Sequence, residues 1–458
     1  MWIVLLAGGM CAAMGSNDIA NVLGSPVGSR ALSKSQAVFL GALAEVLGSL
    51  IFGYKVTASA FKSGLVSLDQ LESTSRVTEG YAVALASVLL WVGFSTFRAI
   101  PVSTTHSIIG AVLFFIIAEY GSVNVHWFWV AKLILSWILS PIAGALVASV
   151  VFLSIMVPLS SKRFKSSSDL VGIVSLIYFG TCLVVFLFVL NGNVSRISQL
   201  VLSICCAAGV GFYVRSSTRK SLHRGPSAYT EGIELDNVDE EDLDYLISQD
   251  LASSPRTKSD GIKRVSSRLT DIDIDSSPSF IFLKKSFLFL QCCAAAVVVF
   301  GHGSNDIANA MGPLTVIYEL SGEYSFFRTI VLLAYGSICS SLGLFFFGSK
   351  VMTTTGSNLT SLSSCAGFCV LFGTASSVLI ASSLGIPVST GQTLIGAIIG
   401  IGITKNVFFR IPGQNLAEAI NYPLIRKIVI SWLITIPVAG TLTLALYWSG
   451  LGFFLTGN

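Results

Sequence analysis

The chain has 458 residues, of which 53% are hydrophobic and only 11% are charged, and its formal net charge is +4. A soluble domain typically carries about 25% charged residues, so this composition excludes a soluble globular protein. The small net charge gives no reason to expect a nucleic-acid partner. We predict an all-α polytopic membrane protein in a lipid bilayer, because the apolar runs are continuous, whereas a β-barrel would show short alternating segments.

The apolar segments predict about 10–12 membrane segments. In chain order, the apolar runs lie at 1–14, 36–54, 81–97, 107–118, 128–157, 170–190, 197–214, 280–302, 326–348, 367–384, 393–404 and 425–456. The runs 107–118 and 393–404 are too short to span alone, and each follows an Ile-Pro-Val-Ser-Thr pentad. Because proline disfavours helical geometry in its predecessor and Ser or Thr caps a helix well, each pentad predicts a break followed by a new helix.

The chain contains an internal repeat. The heptapeptide GSNDIAN at residues 15–21 recurs letter for letter at residues 303–309, and the pentad recurs at 100–104 and 386–390. Each copy of the repeated unit contains five apolar runs. Broken or re-entrant helices at matched positions of two halves are typical of transporters that bind their substrate near the middle of the membrane.

Four regions are predicted along the chain. They are a first membrane repeat at 1–157, two linking transmembrane helices at 158–214, a disordered cytoplasmic loop at 215–279 and a second membrane repeat at 280–458. The loop is rich in Ser, Asp and Glu and lacks the apolar content of a core, while its basic flanks favour the cytoplasmic side. Two units with an odd number of crossings, joined through the same side of the membrane, have opposite orientations, which predicts inverted-topology repeats.

Each heptapeptide places one aspartate in an apolar setting, where a carboxylate is costly. The aspartate and the last asparagine of each copy are spaced i, i+3 and share one helix face. Hard oxygen ligands suit a small hard cation, and only His302 lies beside them as a nitrogen donor, so no metal other than Na⁺ is expected. An alternative is a helix terminus capped by a buried Asp–Asn hydrogen bond. The predicted cation ligands are Asp18, Asn21, Asp306, Asn309, Asn17 and Asn305.

The two pentads predict an anion site. Helix N-termini attract anions through unpaired N–H groups and the aligned dipole. Two such starts, from oppositely oriented repeats, could face one oxyanion, with bound cations supplying the positive charge. The alternative is that the pentads only cap two packed helices. The groups aligned at the two starts are those of Ser103, Thr104, Thr105, Ser107, Ser389, Thr390, Gly391 and Thr393.

Two other charged residues are candidate coupling residues. Glu45 is a second carboxylate within an apolar run, and its repeat equivalent is Ser340, so any role would not be symmetric. Arg98 lies just before the first pentad and either contacts the anion or extends to the membrane interface. The repeat equivalent of Arg98 is Leu384, which weakens the case for a ligand.

The paired heptapeptides, the paired pentads and the long polar loop between the halves resemble the inorganic phosphate transporter (PiT) family, over almost the whole chain outside 158–279. The resemblance implies a sodium- or proton-coupled phosphate symporter, not an enzyme, that has no cofactor, works by alternating access and is often a homodimer. It implies cation sites at Asp18, Asn21, Asp306 and Asn309. It implies a phosphate site at Ser103, Thr104, Thr105, Ser389, Thr390, Gly391, Gln392 and Thr393, and Glu45 matches a family glutamate.

The sequence departs from the family pattern in three ways, of which the mildest is Ser16 and Ser304, where members often have Ala. Gly391 and Gln392 follow the second pentad where many members have Thr-His. Leu371 stands where eukaryotic relatives often have a glutamate. These departures bear on the coupling ion and the stoichiometry more than on the class of substrate.

The resulting hypothesis is import of inorganic phosphate driven by a cation gradient, with Na⁺ favoured over H⁺. The membrane potential opposes entry of an anion by about 2.3 kcal/mol per charge per 100 mV, and cotransport of two or more cations offsets this opposition. The alternatives are a sulfate or other oxyanion permease of the same fold and a phosphate-sensing membrane receptor. We expect a multi-pass protein of the plasma membrane, with an internal membrane as the alternative.

Overall fold

A computed structural model of the chain describes residues 2–58, 65, 74–97, 102–160, 167–189, 195–223, 278–358, 364–408 and 422–456. Within these ranges the regular structure is helical and no β-strand occurs. Nine of the described helical segments are long and apolar enough to cross a membrane. The predicted all-α polytopic membrane class is therefore confirmed.

The first half begins with a helix that passes without interruption through the first heptapeptide. A π-helical turn, Gly15–Ile19, joins the first two helices, and π-helical turns inside α-helices are frequent at functional sites. The helices of this half are α1 (Trp2–Met14), α2 (Ala20–Gly28), α3 (Lys34–Thr57), α4 (Thr74–Phe97), α5 (Thr104–Tyr120) and α6 (Trp127–Ser160).

Two linking helices and the helices of the second half follow. The second heptapeptide also lies inside a continuous helix, which begins at Pro278 and ends at Leu320. These elements are α7 (Ser167–Val189), α8 (Arg196–His223), α9 (Pro278–Leu320), α10 (Phe326–Asn358), α11 (Ser364–Ser383), α12 (Thr390–Phe408), α13 (Tyr422–Trp448) and α14 (Leu451–Thr456).

New helices start at both pentads, as predicted. Ser103 has extended backbone angles (φ −88°, ψ 117°), and its Oγ accepts a hydrogen bond from the N–H of His106 at 3.2 Å. In the second copy, residues 386–389 are not helical and α12 begins at Thr390. Residues 98–101, which include Arg98 and the start of the first pentad, lie outside the described residues.

The helices of one half pack largely against those of the other. Helix α9 packs on α3, and the equivalent helices α1 and α2 pack on α10. Likewise α5 packs on α13, and its equivalent α12 packs on α6. Helices of the two halves therefore pack between one another instead of forming two separate bundles.

Two equivalent glycines allow close approach of the helices at these crossings. A Cβ built on Gly15 would lie 2.0 Å from the carbonyl oxygen of Ser340, and one built on Gly303 would lie 2.2 Å from that of Glu45. Gly15 and Gly303 are repeat equivalents, as are Ser340 and Glu45. These reciprocal contacts are those that two copies of one unit make when a pseudo-two-fold axis relates them.

The heptapeptides lie between two apolar clusters. Helix α1 contributes Met14 to the first cluster, and α2 contributes Leu23 to the second. Helix α9 contributes Val299 to the second cluster before the heptapeptide and Met311 to the first cluster after it. The two heptapeptide helices thus run in opposite directions between the clusters, as inverted repeats require. The orientation of the chain in a bilayer stays a prediction.

The region between the halves is described only in part. Helix α8 continues to His223, inside the range that the sequence predicted as a loop. Residues 224–277 lie outside the described residues. The disorder and the cytoplasmic location of the 215–279 loop, and the boundaries of the four regions, therefore stay predictions.

Candidate functional site

Hydrogen bonds join the two pentads to the two heptapeptides. Thr104 Oγ1 donates to Asp18 Oδ2 at 3.2 Å, and Thr390 Oγ1 donates to Asp306 Oδ2 at 2.9 Å. Thr105 Oγ1 donates across the halves to Asp306 Oδ1 at 3.0 Å. The structure therefore brings residues of both predicted cation motifs and both predicted anion motifs into one buried site.

The serine of each pentad caps the helix that follows it. Ser389 Oγ accepts from the N–H of Gln392 at 3.4 Å, and Thr393 Oγ1 donates back to the carbonyl of Ser389 at 2.9 Å. Beyond the caps, His106 Nε2 lies 3.3 Å from Gln392 Nε2, and these two residues are repeat equivalents. The two helix starts therefore face each other, and N–H groups in a first helical turn are available to an anion.

Asn305 holds the break before the second helix start. Its Nδ2 donates to Ser382 Oγ at 3.2 Å and to the carbonyl of Ile386 at 3.3 Å, while its Oδ1 accepts from the N–H of Val388 at 3.2 Å. The amide thus satisfies backbone groups that the break would otherwise leave unpaired. In this structure Asn305 acts on the pentad rather than directly at the aspartates.

The other asparagines have different partners. Asn17 Nδ2 donates to Thr96 Oγ1 at 3.0 Å, and Asn17 Oδ1 accepts from Asn21 Nδ2 at 3.1 Å. Asn309 Nδ2 donates to Thr105 Oγ1 at 3.2 Å, whereas its Oδ1 is buried with no hydrogen-bond partner among the described residues. A buried acceptor without a partner is uncommon, and a cation at Asp306 would satisfy it.

A buried histidine, which was noted in the sequence but not assigned to the site, lies at its centre. His302 Nδ1 is 3.0 Å from both carboxylate oxygens of Glu45, and Ser340 Oγ donates to Glu45 at 3.0 Å. Because a carboxylate only accepts, Nδ1 carries the hydrogen of this contact. His302 Nε2 lies 3.4 Å from Asp306 Oδ2 and 3.9 Å from Asp18 Oδ2. His302 therefore links Glu45 to both aspartates.

One sequence signal could have identified His302. It lies four residues before Asp306, so the two side chains share a helix face. Its repeat equivalent is Met14, so the polar residue occurs in one copy only, as Glu45 does. The other candidate coupling residue, Arg98, lies outside the described residues.

The centre is rich in negative charge. The side chain of Asp306 is 3% exposed, that of Asp18 is 13% exposed and Glu45 is fully buried. Among the ion pairs of the described residues, His302 is the basic partner at this centre, and it is positive when its imidazole is protonated. Within the residues that the structure describes, no group of three or more His, Cys, Asp or Glu side chains is placed to hold a metal ion. Buried carboxylates need compensating charge, so the arrangement suits small cations bound by oxygens.

Known proteins are similar to the chain along its length. The phosphate transporter family matches residues 14–443. A candidate phosphate permease of Thermococcus kodakarensis is 30% identical over 448 residues, which are 97% of this chain and 96% of that protein. The chloroplastic inorganic phosphate transporter 2-1 of Arabidopsis thaliana is 30% identical over 445 residues, which are 95% of this chain and 69% of that protein.

A solved structure is similar to the fold. It is that of a sodium-dependent phosphate transporter, with a TM-score of 0.76 and 26% identity, and the match covers 98% of this chain and 99% of that one. Both heptapeptides and the described parts of both pentads fall inside the region that the family matches. With nine described segments able to cross a membrane, the protein is an integral multi-pass membrane protein. The chain belongs to the phosphate transporter family.

Proposed function

We propose that this protein imports inorganic phosphate by coupling its entry to that of cations, with Na⁺ favoured over H⁺, through alternating access. The observation that carries the proposal is the set of hydrogen bonds from the pentad threonines to the heptapeptide aspartates. A cation held by these carboxylates lies beside helix starts that attract an oxyanion. Cation and phosphate therefore share one site.

This geometry explains why phosphate would need the cations. The pentads and the heptapeptides contain no Lys or Arg, so neutral hydroxyl and N–H groups contact the anion while the bound cations neutralise it. Each ligand then raises the affinity for the other, which is a reciprocal coupling. Without cations, the aspartates would repel phosphate from the same site.

The residues divide into three proposed roles. The cation-binding residues are Asp18, Asn21, Asp306 and Asn309, with Asn17 and Asn305 beside them. The phosphate-binding residues are Ser103, Thr104, Thr105, Ser389, Thr390, Gly391, Gln392 and Thr393. Glu45 is the coupling residue, because His302 connects its carboxylate to both aspartates. A homodimer in the plasma membrane, expected from the sequence, belongs to the same proposal.

Two observations support Na⁺ as the coupling ion. Carboxylate, amide and hydroxyl oxygens line the site, and small hard cations prefer such ligands. The similar solved structure is that of a transporter named as sodium-dependent.

Uptake of labelled phosphate into proteoliposomes tests the proposal. The purified protein is given an inward Na⁺ gradient or an inward H⁺ gradient, with excess sulfate as competitor. We expect uptake that Na⁺ drives and that sulfate leaves unchanged. Uptake driven only by H⁺ would reassign the aspartates as proton carriers, and entry of labelled sulfate without phosphate would contradict the assignment of the substrate.

A further inference from the structure

The two aspartates are repeat equivalents, yet their surroundings differ. Asp306 accepts hydrogen bonds from Thr390 at 2.9 Å and from Thr105 at 3.0 Å. The hydrogen bond to Asp18 comes from Thr104 at 3.2 Å. Thr104 and Thr390 are equivalent, so the contact that Asp18 lacks is the one that Thr105 makes with Asp306.

Gly391 accounts for the missing contact. It occupies the repeat position of Thr105 and has no hydroxyl to offer Asp18. A Cβ built on Gly391 would have no heavy atom of the described residues within 4 Å, and its φ lies outside the left-handed range. Neither crowding nor backbone geometry therefore requires glycine here, and a side chain would extend into open space.

His302 lies unequally between the two positions, and the exposure of the two carboxylates differs as well. Its Nε2 is closer to Asp306 Oδ2, at 3.4 Å, than to Asp18 Oδ2, at 3.9 Å. This Nε2 is buried and has no hydrogen-bond partner among the described residues. Asp18 keeps 13% of its side chain exposed, against 3% for Asp306. The protein therefore encloses one carboxylate and leaves the other more accessible.

We propose that the two cation positions differ in affinity because the protein groups that surround them differ. The cation at Asp306 is enclosed by protein ligands, whereas the cation at Asp18 is completed by water in the space beside Gly391 and is the weaker and faster to exchange. Gly391 is then the residue that sets this difference. Hard cations keep water where protein ligands are missing, and a pre-organised ligand raises affinity because it is already ordered in the folded protein. The inference rests on the proposed cation-coupled function.

Substitution of Gly391 tests the inference. Binding of radioactive Na⁺ to the purified full chain is measured without phosphate, at constant ionic strength with choline as the replacing cation. We expect Gly391→Thr to lower the Kd of the weaker position about fivefold, or roughly 1 kcal/mol. Gly391→Ala adds the carbon without the oxygen, and should not tighten binding. Equal Kd values for the two variants would overturn the inference.

A second pair of variants keeps the test decisive if Gly391→Thr does not fold. Asp18→Asn retains the enclosed position and Asp306→Asn retains the open one, so the Kd for Na⁺ should be about fivefold higher in Asp306→Asn. Equal Kd values would overturn the inference while leaving the proposed function intact. If the wild-type chain binds no Na⁺, the proposed coupling ion fails, and the inference fails with it.

Discussion

The helix crossings of the two halves are nearly interchangeable, whereas the surroundings of the two aspartates are not. Gly15 and Gly303 approach equivalent carbonyl groups almost equally closely, at 2.0 and 2.2 Å for an added Cβ. At the site, Asp306 has one more hydroxyl partner than Asp18 and is less exposed. Helix packing therefore keeps the repeat symmetry, whereas the surroundings of the two aspartates depart from it through a few side chains.

The largest expected effect comes from removing either charge at the site. Asp18→Asn and Asp306→Asn should each lower cation-driven phosphate uptake by at least about a hundredfold, or roughly 2.7 kcal/mol. The amide is similar in shape but cannot balance the charge of the bound cation. Uptake by proteoliposomes at matched protein content measures the loss.

A surface carboxylate supplies the control for these variants. Glu323 is 59% exposed and pairs with Arg328. Glu323→Gln makes the same chemical change away from the site, and should leave uptake unchanged. Normal cation-dependent uptake in both aspartate variants would contradict the assignment of the cation site.

The next largest effect is expected on stability, at the buried contact between Glu45 and His302. His302→Met gives the second half the residue that the first half carries at Met14, and leaves Glu45 buried without its basic partner. Loss of one partner of a buried ion pair costs about 3–5 kcal/mol of stability. Addition of Glu45→Ser, the residue found at Ser340, should recover most of this loss.

A double-mutant cycle measures that recovery. Unfolding of the wild type, the two single variants and the double variant is followed in mixed detergent. A strong coupling energy between the two positions is expected, because the residues are in contact. Additive effects would show that Glu45 and His302 do not stabilise each other.

The equivalent helix crossings at Gly15 and Gly303 predict a matched pair of smaller losses of stability. Gly15→Ala and Gly303→Ala should each destabilise the protein by about 1–3 kcal/mol, because the added carbon meets a backbone carbonyl that cannot easily move. The two losses should be equal within about 0.5 kcal/mol. Thermal unfolding of both variants side by side checks this. If the protein tolerates only one of the two substitutions, the two crossings are not equivalent.

The smallest expected effect is a difference in stability between variants of two equivalent asparagines, Asn17 and Asn305. Asn305→Ala removes the acceptor of the Val388 N–H and should cost about 1–3 kcal/mol, the penalty of an unpaired buried donor. Asn17→Ala removes bonds to side chains and should cost about 1 kcal/mol. Asn305→Ala should also raise the phosphate concentration at half-maximal uptake. A larger loss for Asn17→Ala would reverse the proposed roles.

Much of the architecture could be predicted from the sequence because it depends on local patterns. The continuous apolar runs indicated membrane helices, and the two pentads indicated helix starts at Thr104 and Thr390, which the structure confirms. The identical heptapeptides indicated that Asp18 and Asp306 belong to equivalent units. Repetition of costly polar residues in apolar segments is a strong signal, since chance does not produce it twice.

The sequence did not show which side chains meet across the halves. The contact between Glu45 and His302 depends on how α3 crosses α9, and helix crossings are set by packing rather than by local pattern. The use of Asn305 at the pentad break, rather than at the aspartates, depends on the same tertiary arrangement. Nor did the runs show that both heptapeptides lie inside continuous helices, because glycine and asparagine have low helix propensity and packing overrides it.

The contact between Glu45 and Ser340 joins the two halves at one pair of corresponding positions. These residues are repeat equivalents, and the 3.0 Å hydrogen bond between them places both beside the pseudo-two-fold axis. If both positions carried a glutamate, two buried carboxylates would face each other, and like charges repel unless they share a proton. A hydroxyl at one position and a carboxylate at the other avoid this repulsion, so strict identity of the two halves is least favourable where they meet.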